Sequence, residues 1–213
     1  MEIAVAFIAV LGVCLLVAAF WKTPPRESPS TGAKKPTDAE RRARAQSLGV
    51  VHRSEYLESE AELATLTLDR SGLPTAALEK VRDRLLIATK AGWVNPKSRS
   101  LGRVGLYSFQ VRGSSYYEGA AKAADFRPGA LLTLTREPEN EHDLNAVAVY
   151  GSHGRKVGYV NKQNAAKIAK RMDAGEDIVA ISTRGSGPRS DGTEPQILAA
   201  ERRVMAHLTC RIS

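Results

Sequence analysis

LLTLTREPENEHDLNAVAV, residues 131–149, is a strand, a polar loop and a second strand written in one line. Leu131 to Thr135 alternates apolar and polar side chains as a half-buried strand does, Pro138 and Asn140 interrupt it, and Ala146 to Val149 resume a strand. Between them stand Glu137, Glu139, Asn140, Glu141, His142, Asp143 and Asn145. Asn, Asp and Pro are what any tight connection uses to bond its own backbone. So many short hydrogen-bonding side chains exceed what a turn requires, which points to a binding loop.

Downstream, Lys156 to Val160 reads as the next strand, joined through Gly151-Ser152-His153-Gly154. Asn161 can cap a helix whose Ala165, Ile168, Ala169 and Met172 form one apolar stripe, with Gly175 as its stop. A strand at Ile178 to Thr183 leads into the polar loop Gly185 to Pro195, and Val204, Ala206, Leu208, Cys210 and Ile212 form a period-two run expected to close the chain as a strand. Upstream, Leu106 to Val111 alternates into Gly113 and the pair Tyr116-Tyr117, and a loop with a buried Phe126 is expected from Glu118 to Gly129. Several short strands around one main helix predict an α+β fold, a small β-barrel-like domain over residues 103–213.

Residues 54–95 read differently. Leu78, Val81, Leu85 and Leu86 recur at helical spacing after Ser71-Gly72-Leu73-Pro74, with Thr75 as a cap and Gly92 as a stop, so a helical hairpin is expected there. Residues 22–53 are basic and contain a Pro/Ser-rich stretch, too polar to fold alone, and read as a linker whose cations suit anionic lipid. Residues 3–21 are apolar throughout and as a helix would span roughly 28 Å at about 1.5 Å per residue, close to the thickness of a bilayer. With no basic residue ahead of it and no A-x-A site behind it, this run reads as a transmembrane helix over residues 1–21 rather than a cleaved signal. Lys22, Arg26, Lys34 and Lys35 follow it, so the expected location is the cell membrane, single-pass, with the C-terminal domain cytoplasmic.

The net charge of +8 favours polyanionic partners without choosing among them. Cys14 and Cys210 are the two cysteines, which leaves neither a disulfide framework nor a thiolate zinc site. No G-x-x-x-x-G-K-[ST] loop occurs, so the phosphate cradle of a P-loop ATPase is missing from this sequence.

Three blocks, GSSYYEG around Tyr116 and Tyr117, the polar loop, and GRKVGYVNKQNAAKIAKRMDAG from Gly154, together resemble the HIRAN domain in order and spacing. This domain is a module of SWI/SNF-type DNA remodelers that also occurs as stand-alone copies in bacteria and phages. The resemblance covers roughly Val104 to Leu208 and implies a small barrel that binds the 3′ end of single-stranded DNA. The family's tyrosine pair, its Asn and Asp, and its helix-start lysine correspond here to Tyr116, Tyr117, Asn140, Asp143 and Lys162. Ser115 stands where the remodeler version is basic and Tyr159 where it has histidine, which puts end specificity in question.

The residues themselves allow the same chemistry. Bases can stack on a tyrosine without a sequence code. Lys162 with Arg112, Arg136, Arg155 and Lys156 can neutralise phosphates. An Asp in a basic cleft accepts a bond from a terminal hydroxyl and repels a continuing phosphate. The expected function is thus a membrane-anchored nucleic-acid-binding module, not an enzyme, needing no cofactor. Two other readings stand beside it: a membrane-tethered protein-interaction adaptor using the helical hairpin, and a metal-dependent nuclease using the acids of the loop.

Overall fold

The computed structural model describes residues 55–189 and 194–210. The expected transmembrane helix and linker lie outside them; among the described residues no helix is long and apolar enough to cross a membrane.

A short helix α1 (Ser59–Thr65) precedes a meander of β1 (Ala77–Val81), β2 (Arg84–Thr89) and β3 (Gly92–Val94). A 3₁₀ turn (Arg99–Val104) leads into β4 (Tyr107–Gln110), a second 3₁₀ turn (Ser114–Tyr117) and a helix α2 (Glu118–Ala123). Then follow β5 (Leu131–Arg136), β6 (Val147–Tyr150), β7 (Lys156–Tyr159), helix α3 (Lys162–Asp173), β8 (Ile178–Arg184), β9 (Gln196–Glu201) and a final helix α4 (Arg202–Thr209). The antiparallel pairing runs β4-β9-β8-β5-β6-β7. It returns on itself where Arg112, just past β4, pairs with Tyr159 of β7, each backbone N–H donating to the other's carbonyl at 2.8 Å. The ring of strands is thereby closed, and the α+β, barrel-like expectation for the C-terminal domain matches this mixed, antiparallel architecture.

Strand alternation sorts the apolar side chains into two cores. Tyr107 and Phe109 of β4, Leu132 and Leu134 of β5, Val147 and Val149 of β6 and Ile197 and Ala199 of β9 meet inside the ring, covered by Ala165, Ile168 and Ala169 of α3. Asn161 caps that helix, its side chain accepting from the Asn164 N–H. The opposite faces of β8 and β9 send Ile181, Leu198 and Ala200 into a second core with Leu78, Leu85, Ile87, Leu101 and the buried face of α4. β9 is buried on both faces over Ile197 to Ala200.

Three expectations are corrected. Residues 54–95 are not a helical hairpin: beyond α1 they form the β1-β2-β3 meander, with Val81 opposite Arg84 across a two-residue turn. Arg82 occupies the left-handed region there, φ 52°. Leu78, Leu85 and Leu86 satisfy helical spacing on paper, but Leu85 and Ile87 lie on one side of a strand and pack against α4 and β9, and tertiary packing overrides propensity. The C-terminal run is likewise helix, not strand: Val204, Met205 and Leu208 are buried together while Ala206 faces out. The strand expected at the end of the chain is β9 instead, hidden in the sequence by its two alanines. Finally, the loop after the tyrosines begins with α2.

Closure leaves no room at Gly158, whose φ is +147° and whose missing Cβ would lie 2.4 Å from the Arg112 carbonyl oxygen and 2.5 Å from Val111 Cγ1. Gly158→Ala is expected to destabilise the protein by about 2 kcal/mol or more, because backbone rather than a flexible side chain would have to move. Urea unfolding of the variant against the parent measures this; an unchanged midpoint would mean that the seam is not tightly closed.

Candidate nucleic-acid interface

Gly113, left-handed at φ 70°, ends the β4 segment and starts the 3₁₀ turn by accepting from the Tyr116 N–H at 3.0 Å. The turn separates the two tyrosines. Tyr116 is 88% exposed, a large ring held out into solvent. Tyr117 turns inward, its hydroxyl donating toward Tyr159 at 3.5 Å and its ring centroid 6.2 Å from that of Tyr159. One stacking surface and one supporting ring result, where the sequence left open which tyrosine did which.

Under Tyr117 lies a half-buried polar knot. Glu137 accepts from Lys156 Nζ on one oxygen, and on the other from the Tyr159 hydroxyl at 3.0 Å and Asn140 Nδ2 at 3.2 Å. Lys156 Nζ also donates to the Tyr159 hydroxyl at 3.1 Å and sits 4.9 Å above that ring. The Asn140 carbonyl oxygen accepts from the N–H groups of His142 and Asp143, which folds the polar loop over the knot. Asp143 in turn accepts from the Asn145 N–H at 2.8 Å. Asn145 is therefore a turn partner, and Asn140 spends its amide holding the loop in place.

Tyr116, Tyr117, Asn140, Asp143 and Tyr159 are brought together, lining with Arg112, His142 and Val160 a cleft of about 640 Å³. Two expected residues are not. Arg136 is turned away by a fork to Asp173, Nε at 3.1 Å and Nη2 at 3.2 Å, with Nη1 on the Ala146 carbonyl. Lys162 is exposed on the first turn of α3 and is not among the residues lining this cleft. Arg155 and Lys156 line a smaller hollow on the far side of the tyrosines. Glu137 was weighed in the sequence only as one of several loop acids; its position one residue past the end of β5, across β6 from the strand carrying Lys156 and Tyr159, is the signal that would have found it. Among the described residues no three of His, Cys, Asp and Glu are grouped to hold a metal ion.

The knot sets the charge states. The bond to Glu137 comes first in raising the Lys156 ammonium well above its ordinary range, against the opposing effect of burial. Burial by itself raises the Glu137 carboxyl, but the bonds from Lys156, Tyr159 and Asn140 outweigh it and hold the group below the usual carboxylate range. The Tyr159 hydroxyl is pushed up, by its bond with Tyr117 and then by burial. A depressed carboxyl stabilises the fold above its ordinary value of about 4.3 and loses that contribution as pH falls through the folded value. The raised lysine contributes fully below about 10.4 and loses its part only as pH rises further, through the folded value. Between pH 7 and pH 3, Glu137→Gln should therefore lose less stability than the parent, read as the difference in urea midpoints. Identical losses in both proteins would remove Glu137 as a contributor to acid lability.

The model of the HIRAN domain matches residues 104–198. The chain is 36% identical over 64 residues to helicase-like transcription factor of Mus musculus, and 38% identical over 63 residues to that of Oryctolagus cuniculus. Each match covers 30% of this chain and only 6% of the relative's length. Among solved structures it is similar to the crystal structure of the HIRAN domain of human HLTF, at 21% identity and TM-score 0.36 over 49% of this chain and 83% of that one. A Lactobacillus plantarum protein gives 24% identity and TM-score 0.36 over 45% and 92%. A closed strand ring with the tyrosine pair, the polar loop and the capped helix in family order, matched to that model across 104–198, makes this part of the chain a HIRAN domain.

Proposed function

We propose that the HIRAN domain of this chain binds single-stranded nucleic acid, single-stranded DNA in the first place, and holds a free 3′ end in the tyrosine cleft. The observation that carries this reading is the exposed Tyr116 ring at the mouth of a cleft that also contains Asp143 and the cation Arg112. A base stacked on Tyr116 gains about 1–3 kcal/mol whatever its identity. Arg112 offers a phosphate contact, and Asp143, whose Oδ1 accepts from the Asn145 N–H, presents a carboxylate that can accept from a sugar hydroxyl but repels a phosphate. Tyr117, Tyr159, Lys156, Glu137 and Asn140 act beneath as the frame that positions these groups. Lys162 serves as a peripheral phosphate contact, and Arg136 fixes the end of β5. The module works by binding, without ATP hydrolysis or strand cleavage. The adaptor alternative loses the helical hairpin on which it depended.

We also propose that residues 3–21 tether this domain to the cell membrane from its cytoplasmic side, with the basic residues 22–53 close to anionic lipid. Support comes from the apolar run and the cations behind it. A reporter fused after Trp21 should sit in the cytosol; its exposure outside intact cells would reverse the assignment.

End recognition is tested by comparing strands that finish in a 3′ hydroxyl or a 3′ phosphate. The parent should prefer the free hydroxyl. Asp143→Asn, which keeps an oxygen for the Asn145 N–H, should weaken hydroxyl-end binding by about 1–3 kcal/mol and narrow or abolish the preference. Tyr116→Ala should weaken both ligands by about 1–3 kcal/mol without lowering stability. Equal affinity of the parent for both ends would leave a single-strand binder without end specificity.

A further inference from the structure

The tyrosine cleft is not isolated. Arg112 lines both it and a second cleft of about 580 Å³ that runs between α3 and the first 3₁₀ turn. That second cleft shares Lys97, Ser108, Gln110 and Gln196 with a third, of about 670 Å³, lying where the β1-β2-β3 meander meets the ring of strands. Among the described residues the second and third clefts are lined by Arg99, Lys97, Lys167, Arg184 and Arg84 and by no Asp or Glu. Lys97, Arg99, Lys167 and Arg184 are exposed, and among the described residues none of them is in an ion pair.

The far end of this path holds an unmet need. Arg84 is the sole register partner of Arg184 between β2 and β8, so two guanidinium side chains of like charge are placed side by side. The Arg84 side chain is only 9% exposed; its guanidinium bonds the Tyr56 hydroxyl in the same cleft, but its Nε has no hydrogen-bond acceptor among the described residues. The Asp83 carboxylate at 3.5 Å makes an ion pair by distance but is 67% exposed and does not meet hydrogen-bond geometry with that nitrogen, so the orphaned donor is the better description. A buried charged donor without an acceptor is costly in the free protein and is relieved by an anion. Among the described residues, aspartate and glutamate, which would fill that need in a purely structural site, are missing from the lining.

We propose that the three clefts form one track for the phosphate backbone of a single strand. It runs from the tyrosine cleft along Arg112, Lys167, Arg99 and Lys97 and ends with a phosphate against Arg84 and Arg184. The proposal rests on the single-strand reading of the tyrosine cleft and extends it to a footprint: with the 3′ end in that cleft, the nucleotides toward the 5′ side occupy the groove. Its distal third lies largely outside the HIRAN match, in the meander before residue 104. The polar side chains Ser108, Gln110 and Gln196 along the floor suit a sequence-independent backbone contact.

The test uses the full-length protein and fluorescent oligothymidylates that share a free 3′ end and are lengthened toward the 5′ side, from three nucleotides upward. Affinity should rise at least about tenfold and then level off, within the range of about 4–16 nucleotides that single-strand grooves of small barrels cover. The triple variant Lys97→Ala, Lys167→Ala, Arg184→Ala alters exposed side chains only. It should bind the trinucleotide as the parent does, lose the length-dependent gain, and show a salt slope shallower by about 2, at about 0.7 for each lost phosphate contact. Tyr116→Ala should do the reverse, weakening the trinucleotide while keeping the gain with length. Tight trinucleotide binding with no further gain in the parent, or a gain that survives in the triple variant, overturns the track and leaves the tyrosine cleft standing. Absence of binding at every length overturns the single-strand reading, and the track with it.

Discussion

The paired backbone bonds between Arg112 and Tyr159 are the contact on which the tyrosine cleft depends. They join the first strand of the ring to the last strand before α3, and they are made by the two residues that flank the cleft. Because Arg112 is fixed through its main chain, its side chain remains available to ligand; because Tyr159 is fixed in the same way, its hydroxyl is delivered to Glu137 and Lys156. The seam thus places a cation on one side and the polar knot on the other with no side-chain bond between them. It also explains a local requirement that no pairwise contact would suggest, since only a residue without a Cβ can stand at position 158.

The knot beneath the tyrosines shows how two acids of one loop can carry different charge environments within a single cleft. Glu137 is consumed by Lys156, Tyr159 and Asn140, so its charge is compensated below the surface. Asp143, further along the loop, accepts among the described residues only from the Asn145 N–H, on one oxygen. The two carboxylates differ by their neighbours rather than by their chemistry, one structural and one facing the cleft. Asn140 links them, bonding Glu137 through its amide nitrogen and the Asp143 N–H through its oxygen.

Much of the ring was legible in the sequence, because β5, β6, β7, β8 and α3 each carry a period and a boundary signal: alternation, a proline, a glycine, an asparagine cap. The meander of residues 77–94 was not, since leucines at 78, 85 and 86 satisfy two periods at once and the choice is made by burial against α4 and β9, segments more than a hundred residues away. α4 was misread for the opposite reason: a short helix with alternating small and large residues imitates a strand. Within the site, residue types and order were readable, whereas partners were not. Arg136 and Lys156 look alike as cations in the sequence, yet one is bound to Asp173 on the far side and the other to Glu137 under the tyrosines.

The double-sided burial of β8 and β9 has a bearing on where this domain begins and ends. A polypeptide trimmed to residues 104–198 would lose the meander, most of the first 3₁₀ turn, the second half of β9 and α4. Ile181 and Leu198, now covered, would become a wet apolar sheet face beside unpaired strand backbone, the type of surface on which chains of the same kind adhere to one another. In this protein the unit that the family match marks out is smaller than the unit that buries both faces of its own sheet, and the added segments act as a sleeve over the outer face.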